Sequence, residues 1–397
     1  MHSALISRAR GPAPTMRVLM TVDAVGGVWT YALDLARGLR ARGIGTTLAV
    51  LGPDPTANRI AEAQSIPDLE LELTRLPLDW LALKRADVTR AGRAIARLAV
   101  ECGADLVHLS SPALAADVAF AQPVLATCHS CVATWWSAVR GADVPLPPDF
   151  AWRADLMQAG FDQLATVVAP SRAFADALVD IYGPGRAPVV VHNGRSPFTS
   201  PLSAGGFSRA PAPFVFTAGR LWDEGKDIAT LDSAAARVRF PVLAAGPTHG
   251  ENGAEFHAQS LRTLGIVSRE QIGFHLSQRP IFVSTALYEP FGLAVLEAAQ
   301  AGSSLLLSDI PTFRELWDGV ATFVPPGDAG ALARAIEDLA SDAGLRHAFG
   351  VAASRRASLY GLDPFAAAMA ELYRAESTLT GYERLGPPGA QRERARA

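Results

Sequence analysis

Apolar residues along this chain fall in short, nearly unbroken runs, separated by stretches with a helical period. The first run, Arg17 to Val22, is of β type and ends in Asp23-Ala24-Val25-Gly26-Gly27. A periodic helix is predicted from Val28 to Arg42, and a strand from Thr46 to Leu51. Arg90 to Glu101 reads as helix, Asp105 to Leu109 and Pro123 to Thr127 as strands, with His129 just beyond the second. Two further strands, Ala165 to Val168 and Val189 to Val191, bracket a helix from Arg172 to Tyr182. Strands alternating with helices over this length predict a parallel sheet wrapped by helices.

The texture then changes. Residues 195–213 are rich in Pro, Ser and Gly with little periodicity and read as a linker. Beyond them the alternation restarts. Phe214-Val215-Phe216, Pro241 to Ala245, Ile281 to Ser284, Ser304 to Ser308 and Ala321 to Val324 are predicted strands. Asp227 to Val238, Thr312 to Trp317 and Ala329 to Ala340 are predicted helices. The expected organisation is an α/β domain over 16–194, the linker, and a second α/β domain over 214–360. A last helix follows within 361–380 (Pro364 to Ser377) and could cross back to the first domain. Residues 1–15 and 381–397 read as disordered ends. Ligands of such paired sheets bind in the cleft, at the carboxyl ends of the strands.

Composition narrows the class. With 397 residues, 49% apolar and 19% charged, the chain has material for two full cores. A net charge of −3 gives no whole-chain nucleic-acid footprint. No apolar run reaches the ~18 residues of a membrane span, and residues 1–15 lack a signal-peptide core. The expected compartment is the cytoplasm, with the inner membrane face as a variant. Of 36 basic residues only Lys84 and Lys226 are lysines, so a lysine here can mark a place that needs a compact ammonium.

The densest chemistry lies in Leu287-Tyr288-Glu289-Pro290-Phe291-Gly292-Leu293-Ala294-Val295-Leu296-Glu297-Ala298. Pro290 ends an extended run, Phe291-Gly292 turn, and Leu293 to Gln300 are good helix formers. The N–H groups at such a helix start favour an anion. Glu289 and Glu297 would flank it, which makes sense if each carboxylate addresses an uncharged part of the same molecule. Sugar hydroxyls on either side of a diphosphate meet that demand. Glu297 among Leu296, Ala298 and Ala299 belongs to a mostly buried helix, where an unpaired carboxylate is costly.

With Gly219-Arg220-Leu221 and Lys226 upstream of this turn, and Asp309-Ile310-Pro311, Arg314-Glu315-Leu316 and Pro325-Pro326-Gly327-Asp328 after it, the chain resembles retaining GT-B glycosyltransferases of family 4, also called glycosyltransferase group 1. Gly26-Gly27, Asp105-Leu-Val-His108, His129, Ala169-Pro170-Ser171 and His192-Asn193-Gly194 add weaker matches. The resemblance implies a GT-B fold, two Rossmann-like α/β domains with an interdomain cleft, and transfer of a hexose from a nucleoside-diphosphate sugar with retention. It implies that Arg220 and Lys226 clamp the diphosphate, that Glu289 contacts the transferred sugar, and that Glu297 holds the ribose. The N–H groups of Phe291, Gly292 and Leu293 complete the phosphate cradle, with Gly219 beside Arg220 and Gly26-Gly27 opposite. His129 matches a family histidine near the transferred sugar, so the implied catalytic set is His129, Glu289, Arg220 and Lys226. The chain departs from the family at Thr285-Ala286, Lys226-Asp227 and Gly302-Ser303-Ser304-Leu305. These changes bear on loop shape and base choice more than on charge.

No Asp-x-Asp occurs, and that motif is how metal-dependent glycosyltransferases hold a divalent ion on the diphosphate. The expectation is therefore no metal and no cofactor beyond the donor, with the protein's own cations in the metal's place. The acceptor (glycan, lipid or small metabolite) stays open. Cys128 and Cys131 form Cys-x-x-Cys without two further ligands at zinc spacing. Trp135, Trp136 and Trp152 are expected in or near a Pro-rich loop, packing there or meeting a sugar or membrane. Arg90, Arg93 and Arg97, with Lys84 and Arg85, give a basic helix face, solvated or facing anionic lipid. A GT-B nucleotide-sugar-binding or regulatory module without transfer is the alternative, motivated by the altered 285–286 and 303–304 loops. A nicotinamide dehydrogenase is disfavoured, because no Gly-x-Gly-x-x-Gly follows the first strand.

Overall fold

The computed structural model describes residues 14–183, 185, 187–198 and 212–385, the last seven by backbone only. Of the expected disordered ends, 1–15 and 381–397, residues 1–13 and 386–397 lie outside them, as does most of the 195–213 linker, whereas 381–385 are not disordered but continue the last helix. The first half runs β1 (Met16–Asp23), α1 (Gly27–Arg40), β2 (Ile44–Leu51), α2 (Ala57–Gln64), β3 (Leu69–Leu73), α3 (Arg85–Glu101), β4 (Leu106–Leu109), β5 (Val124–Thr127), α4 (Val132–Arg140), α5 (Pro148–Gln163), β6 (Thr166–Ala169), α6 (Arg172–Tyr182) and β7 (Val189–Val190). The second runs β8 (Val215–Ala218), α7 (Ile228–Ala235), β9 (Val242–Ala245), β10 (Arg262–Gly265), α8 (Arg269–Ser277), β11 (Ile281–Ser284), α9 (Leu293–Gln300), β12 (Ser304–Ser308), α10 (Pro311–Trp317), β13 (Thr322–Val324), α11 (Ala329–Ser341), α12 (Ala343–Ala357) and α13 (Leu362–Leu385).

Each half is one parallel sheet, in the orders β3-β2-β1-β4-β5-β6-β7 and β10-β9-β8-β11-β12-β13. The central strands are buried on both faces, which is why Val18 to Val22 and Ile281 to Val283 read as apolar runs rather than alternations. Strand order reverses beside β1 in the first sheet and beside β8 in the second, so each domain offers a crevice at those carboxyl ends. The loops after β1, β5, β8 and β11 all leave from those ends.

Helix α13 packs back on the first domain. Phe365, Met369, Ala370 and Tyr373 are buried in the core that also holds Val18, Leu33 and Leu48. Gly38 of α1 makes that docking close: a Cβ there would stand 2.3 Å from the Ala366 Cβ. Trp135 and Trp136 lie on α4 and Trp152 on α5, on either side of the Pro-rich loop, and Trp136 Nε1–H donates to Val144 O within it. The linker reading needs correction. Arg195, the first residue of the expected linker, is buried and bridges to Gly361 at the start of α13.

Candidate active site

At the end of β1 the Asp23 carboxylate accepts the N–H groups of Val25 (2.9 Å) and Gly26 (3.2 Å), closing a tight turn that opens α1. Burial pushes the Asp23 carboxyl up, against those two bonds and the charge of Arg220. The turn faces the other domain at close range. A Cβ on Gly26 would stand 3.4 Å from Arg220 Nη1, and one on Gly27 3.5 Å from Leu293 Cδ1. Glycine here keeps backbone N–H groups open towards the cleft.

Opposite, β8 is followed by Gly219-Arg220. Arg220 Nη2 donates to Asp223 Oδ2 at 2.7 Å, and the other Asp223 oxygen accepts Gly225 N–H (2.9 Å) and Trp135 Nε1–H (3.1 Å). Burial would raise the Asp223 carboxyl, but Arg220, Lys226 and these donors hold it below the usual carboxylate range. The loop then lies against the two-glutamate turn. Leu287 and Tyr288 N–H both donate to Gly225 O, and Thr285 Oγ1 donates to the carbonyls of Lys226 (3.0 Å) and Asp227 (2.9 Å). Thr285, a departure from the family pattern, thus pins the lysine loop. Asp227 takes φ 46° there, a left-handed position.

Lys226 Nζ reaches Glu289 Oε2 at 2.5 Å, both side chains about four-fifths buried. Gly292, at φ 91°, turns the chain into α9. Leu293 is the first helical residue, so the Phe291, Gly292 and Leu293 N–H groups stand at an anion-favouring helix start. One turn further, Glu297 pairs with Arg195, whose Nε also donates to Asp34 Oδ2 at 2.8 Å. Arg195 therefore ties α1 of the first domain to α9 of the second.

These elements enclose a cavity of about 450 Å³ between the domains. His129, Glu289, Arg220, Lys226, Gly26, Gly27, Gly219, Phe291, Gly292, Leu293 and Glu297 all line it, so the structure brings the whole sequence-derived set together. It adds residues the sequence reading missed. Arg59 on α2 and Arg195 line it, and so do Pro247, Ile266, Val267 and Ile272, beyond β9 and β10. The last four form an apolar end. Asn193, of the His192-Asn193-Gly194 match, lines the cavity too. No periodic signal marks Arg59 or Arg195. Their placement follows from the domain packing.

His129 opens to this cavity and packs edge-on to Tyr31, ring centroids 4.4 Å apart. Burial pushes its imidazole down to about 3, so it is neutral at pH 7. His108, beneath it, is fully buried, with Nδ1 2.7 Å from Tyr373 Oη and Nε2 2.7 Å from Thr127 Oγ1. Burial, then His129, pushes it down to about 3 as well. In the unfolded chain each histidine takes a proton below pH ~6.5, which the native state refuses, so the unfolded state gains stability on acidification. We expect the urea midpoint to fall from about pH 6.5 downward, each histidine contributing at most about 1.4 kcal/mol per pH unit. A His108→Gln variant should start lower at pH 7 and show a shallower fall; an equal slope would refute this assignment.

Elsewhere the candidates disperse. The Cys128 and Cys131 thiols are buried and free, and burial pushes both up. Cys131 caps α4, its sulfur accepting Thr134 N–H. Among the described residues no group of three or more His, Cys, Asp or Glu is placed to hold a metal ion. Arg85, Arg90, Arg93 and Arg97 are exposed on α3 along a shallow groove, and none lines the interdomain cavity.

Two families match the chain: Glycosyltransferase Family 4 over residues 25–197 and Glycosyl transferases group 1 over residues 211–356. Glycogen synthase of Mycobacterium tuberculosis is 24% identical, covering 90% of this chain and 94% of its own length. D-inositol 3-phosphate glycosyltransferase of Streptomyces avermitilis is 33% identical over 28% of this chain and 24% of its own. Among solved structures, sucrose-phosphate synthase of Thermosynechococcus elongatus superposes with a TM-score of 0.72 at 18% identity, covering 91% of this chain and 98% of that one. Anabaena HepE in complex with UDP-glucose does so with 0.67 at 19% identity, covering 91% and 100%.

Proposed function

Because the chain belongs to the GT-B group 1 glycosyltransferases, we propose that it moves a hexose from a nucleoside-diphosphate sugar to an acceptor, with retention and without a metal ion. One observation carries the reading: Arg220, Lys226 and the start of α9 face Gly26-Gly27 and His129 across a single cavity. Two cations, helix N–H groups and a glycine turn converging there suit a diphosphate. The solved Anabaena HepE complexes with UDP and with UDP-glucose support a donor of this class.

In this reading the donor's diphosphate lies between Arg220, Lys226 and the α9 start. The apolar end at Pro247, Ile266, Val267 and Ile272 takes the base, and Glu297 the ribose hydroxyls. Glu289 accepts from hydroxyls of the transferred sugar, and neutral His129 offers it a hydrogen bond without adding charge. As the bond from the anomeric carbon to phosphate oxygen breaks, negative charge builds on the leaving diphosphate. Fixed cations and N–H groups then stabilise the transition state more than the ground state. On the same face the acceptor oxygen bonds to the anomeric carbon, and its proton passes to the leaving phosphate oxygen. Neither glutamate is a nucleophile in this scheme.

The acceptor approaches from the first domain. The cytoplasm is the compartment this reading takes, and the α3 arginines are the face that would meet an anionic membrane. Among the described residues no helix is long and apolar enough to cross one. The test is calorimetry and turnover on a panel of UDP-, GDP- and ADP-sugars. The expected result is binding of one class with slow hydrolysis or transfer, lost in Glu297→Ala. Tight nucleotide binding with no turnover under any acceptor would favour the binding module instead, and unchanged turnover in Glu297→Ala would remove that residue from the site.

A further inference from the structure

Helix α4 begins three residues after His129, and it touches the donor side of the cleft at two separate points. Thr134 Oγ1 lies 2.8 Å from Tyr288 Oη, and Cys131 N–H donates to the same Tyr288 oxygen at 3.2 Å. Tyr288 is the residue before Glu289, and its ring enters the first domain's core against Phe174. One residue along α4, Trp135 Nε1–H donates to Asp223 Oδ1, while the other oxygen of Asp223 holds Arg220. Arg140, at the end of the same helix, pairs with Glu224 at 2.5 Å.

From these contacts we propose that α4 is the coupling element of the cleft. Closure of the first domain sets the phosphate clamp through Trp135–Asp223–Arg220 and the sugar-facing glutamate through Thr134–Tyr288–Glu289, both in register with His129. The proposal rests on the donor site described above and deepens it: Tyr288 and Trp135 are positioning residues that act through their neighbours. Two features favour this over simple packing. Both contacts use a polar atom at the tip of a large aromatic side chain; Tyr288 itself directly precedes the cavity-lining Glu289, and the Trp135 tip meets Asp223, which holds the cavity-lining Arg220. The same helix is also continuous with the loop that carries His129, so a shift of α4 moves all three groups together. This accounts for Trp135 without a role in sugar stacking or membrane contact.

The experiment uses the full chain, with UDP-glucose and UDP as probes. Tyr288→Phe and Trp135→Phe each remove one hydrogen-bonding tip and keep the ring. Each should lower kcat about tenfold, the worth of roughly one hydrogen bond in the transition state, while the Kd for UDP stays within about twofold. Thr134→Val added to Tyr288→Phe should cost little more than Tyr288→Phe alone, because the Thr134–Tyr288 contact is already lost. Tyr288→Phe with Trp135→Phe should multiply. Hydrogen exchange gives a readout independent of turnover: UDP should protect the amides of residues 132–137 in the wild type and much less in Tyr288→Phe. Folded variants with unchanged kcat and unchanged protection overturn the proposal. So does an equal loss in kcat and UDP affinity, which would mean that the second domain's site is deformed by itself. A wild type that binds no sugar nucleotide sinks the donor reading, and the proposal with it, whereas an active wild type with indifferent variants sinks the coupling alone.

Discussion

Replacing Arg195 by methionine is expected to destabilise the folded chain by roughly 3–5 kcal/mol, the cost of breaking a buried ion pair from one side. The Arg195 side chain is 6% exposed, and its partners Asp34 and Glu297 are 2% and 14% exposed. Removing the guanidinium leaves two carboxylates inside the protein with most of their compensation gone. Arg37 still reaches Asp34 at 3.0 Å, so Asp34 keeps a partner and Glu297 is the more exposed to the loss. The site should suffer as well, because Glu297 lines the cavity and is held by Arg195. Urea unfolding checks the first point. The transition should move to lower urea, with the two domains separating into two steps if the bridge couples them. A second variant keeps the idea testable should the first fail to fold. Arg195→Met combined with Glu297→Gln removes the orphaned charge and should regain part of the lost stability. A midpoint unchanged in Arg195→Met would show that the pair contributes nothing.

Arg195 also shows where sequence reasoning stops. It lies in a stretch rich in Pro, Ser and Gly, and local composition makes it a linker. Its Asp34 contact joins residues 161 positions apart, and no local pattern encodes that distance. The two-glutamate turn was legible for the opposite reason. Its chemistry is local: a proline stop, a glycine that takes φ 91° and a run of helix formers. Central strands such as β1 and β11 were legible because burial on both faces writes an unbroken apolar run. Helix α4 was not, since Val132-Ala-Thr-Trp-Trp136 mixes β-branched and aromatic residues that lower helix propensity, while its binding face is shared between two domains. Edge strand β3 has the alternation Leu69-Glu-Leu-Glu-Leu73, a half-buried pattern that was readable yet masked by the prolines on either side. The second domain's β10 and α8 escaped because none of the strand's residues is buried, so it writes no apolar run. The candidate-site residues were therefore more legible than the framework around them, because the two-glutamate turn is built from residues near one another in sequence, and the contacts of Arg195 and α4 are not.

Lys226→Met is expected to lower turnover of the sugar donor by roughly 100- to 1,000-fold, the usual loss when one fixed charge-stabilising group leaves a transition state. The structure allows two explanations for such a loss. Lys226 pairs with Glu289 at 2.5 Å, so the lysine could matter only because it keeps that carboxylate neutralised in the cleft. Or it could matter because leaving-group charge needs an ammonium beside it. The double variant Lys226→Met, Glu289→Gln separates them. If neutralising Glu289 is the whole task, the double variant recovers to the rate of Glu289→Gln alone, since nothing remains to be neutralised. If the ammonium addresses the phosphate, the double variant stays as slow as Lys226→Met or slower, and its affinity for UDP remains weakened because Glu289→Gln restores no cation. Glu289→Gln alone should bind UDP about as well as the wild type and lose turnover, because its proposed partner is the sugar and not the diphosphate. Stopped assays for kcat and calorimetry for UDP, run on the four proteins, read both quantities. The expected result is no recovery in the double variant. Recovery to near the Glu289→Gln rate would take Lys226 out of the clamp and leave Arg220, the α9 helix start and the Gly26-Gly27 turn to hold the leaving diphosphate.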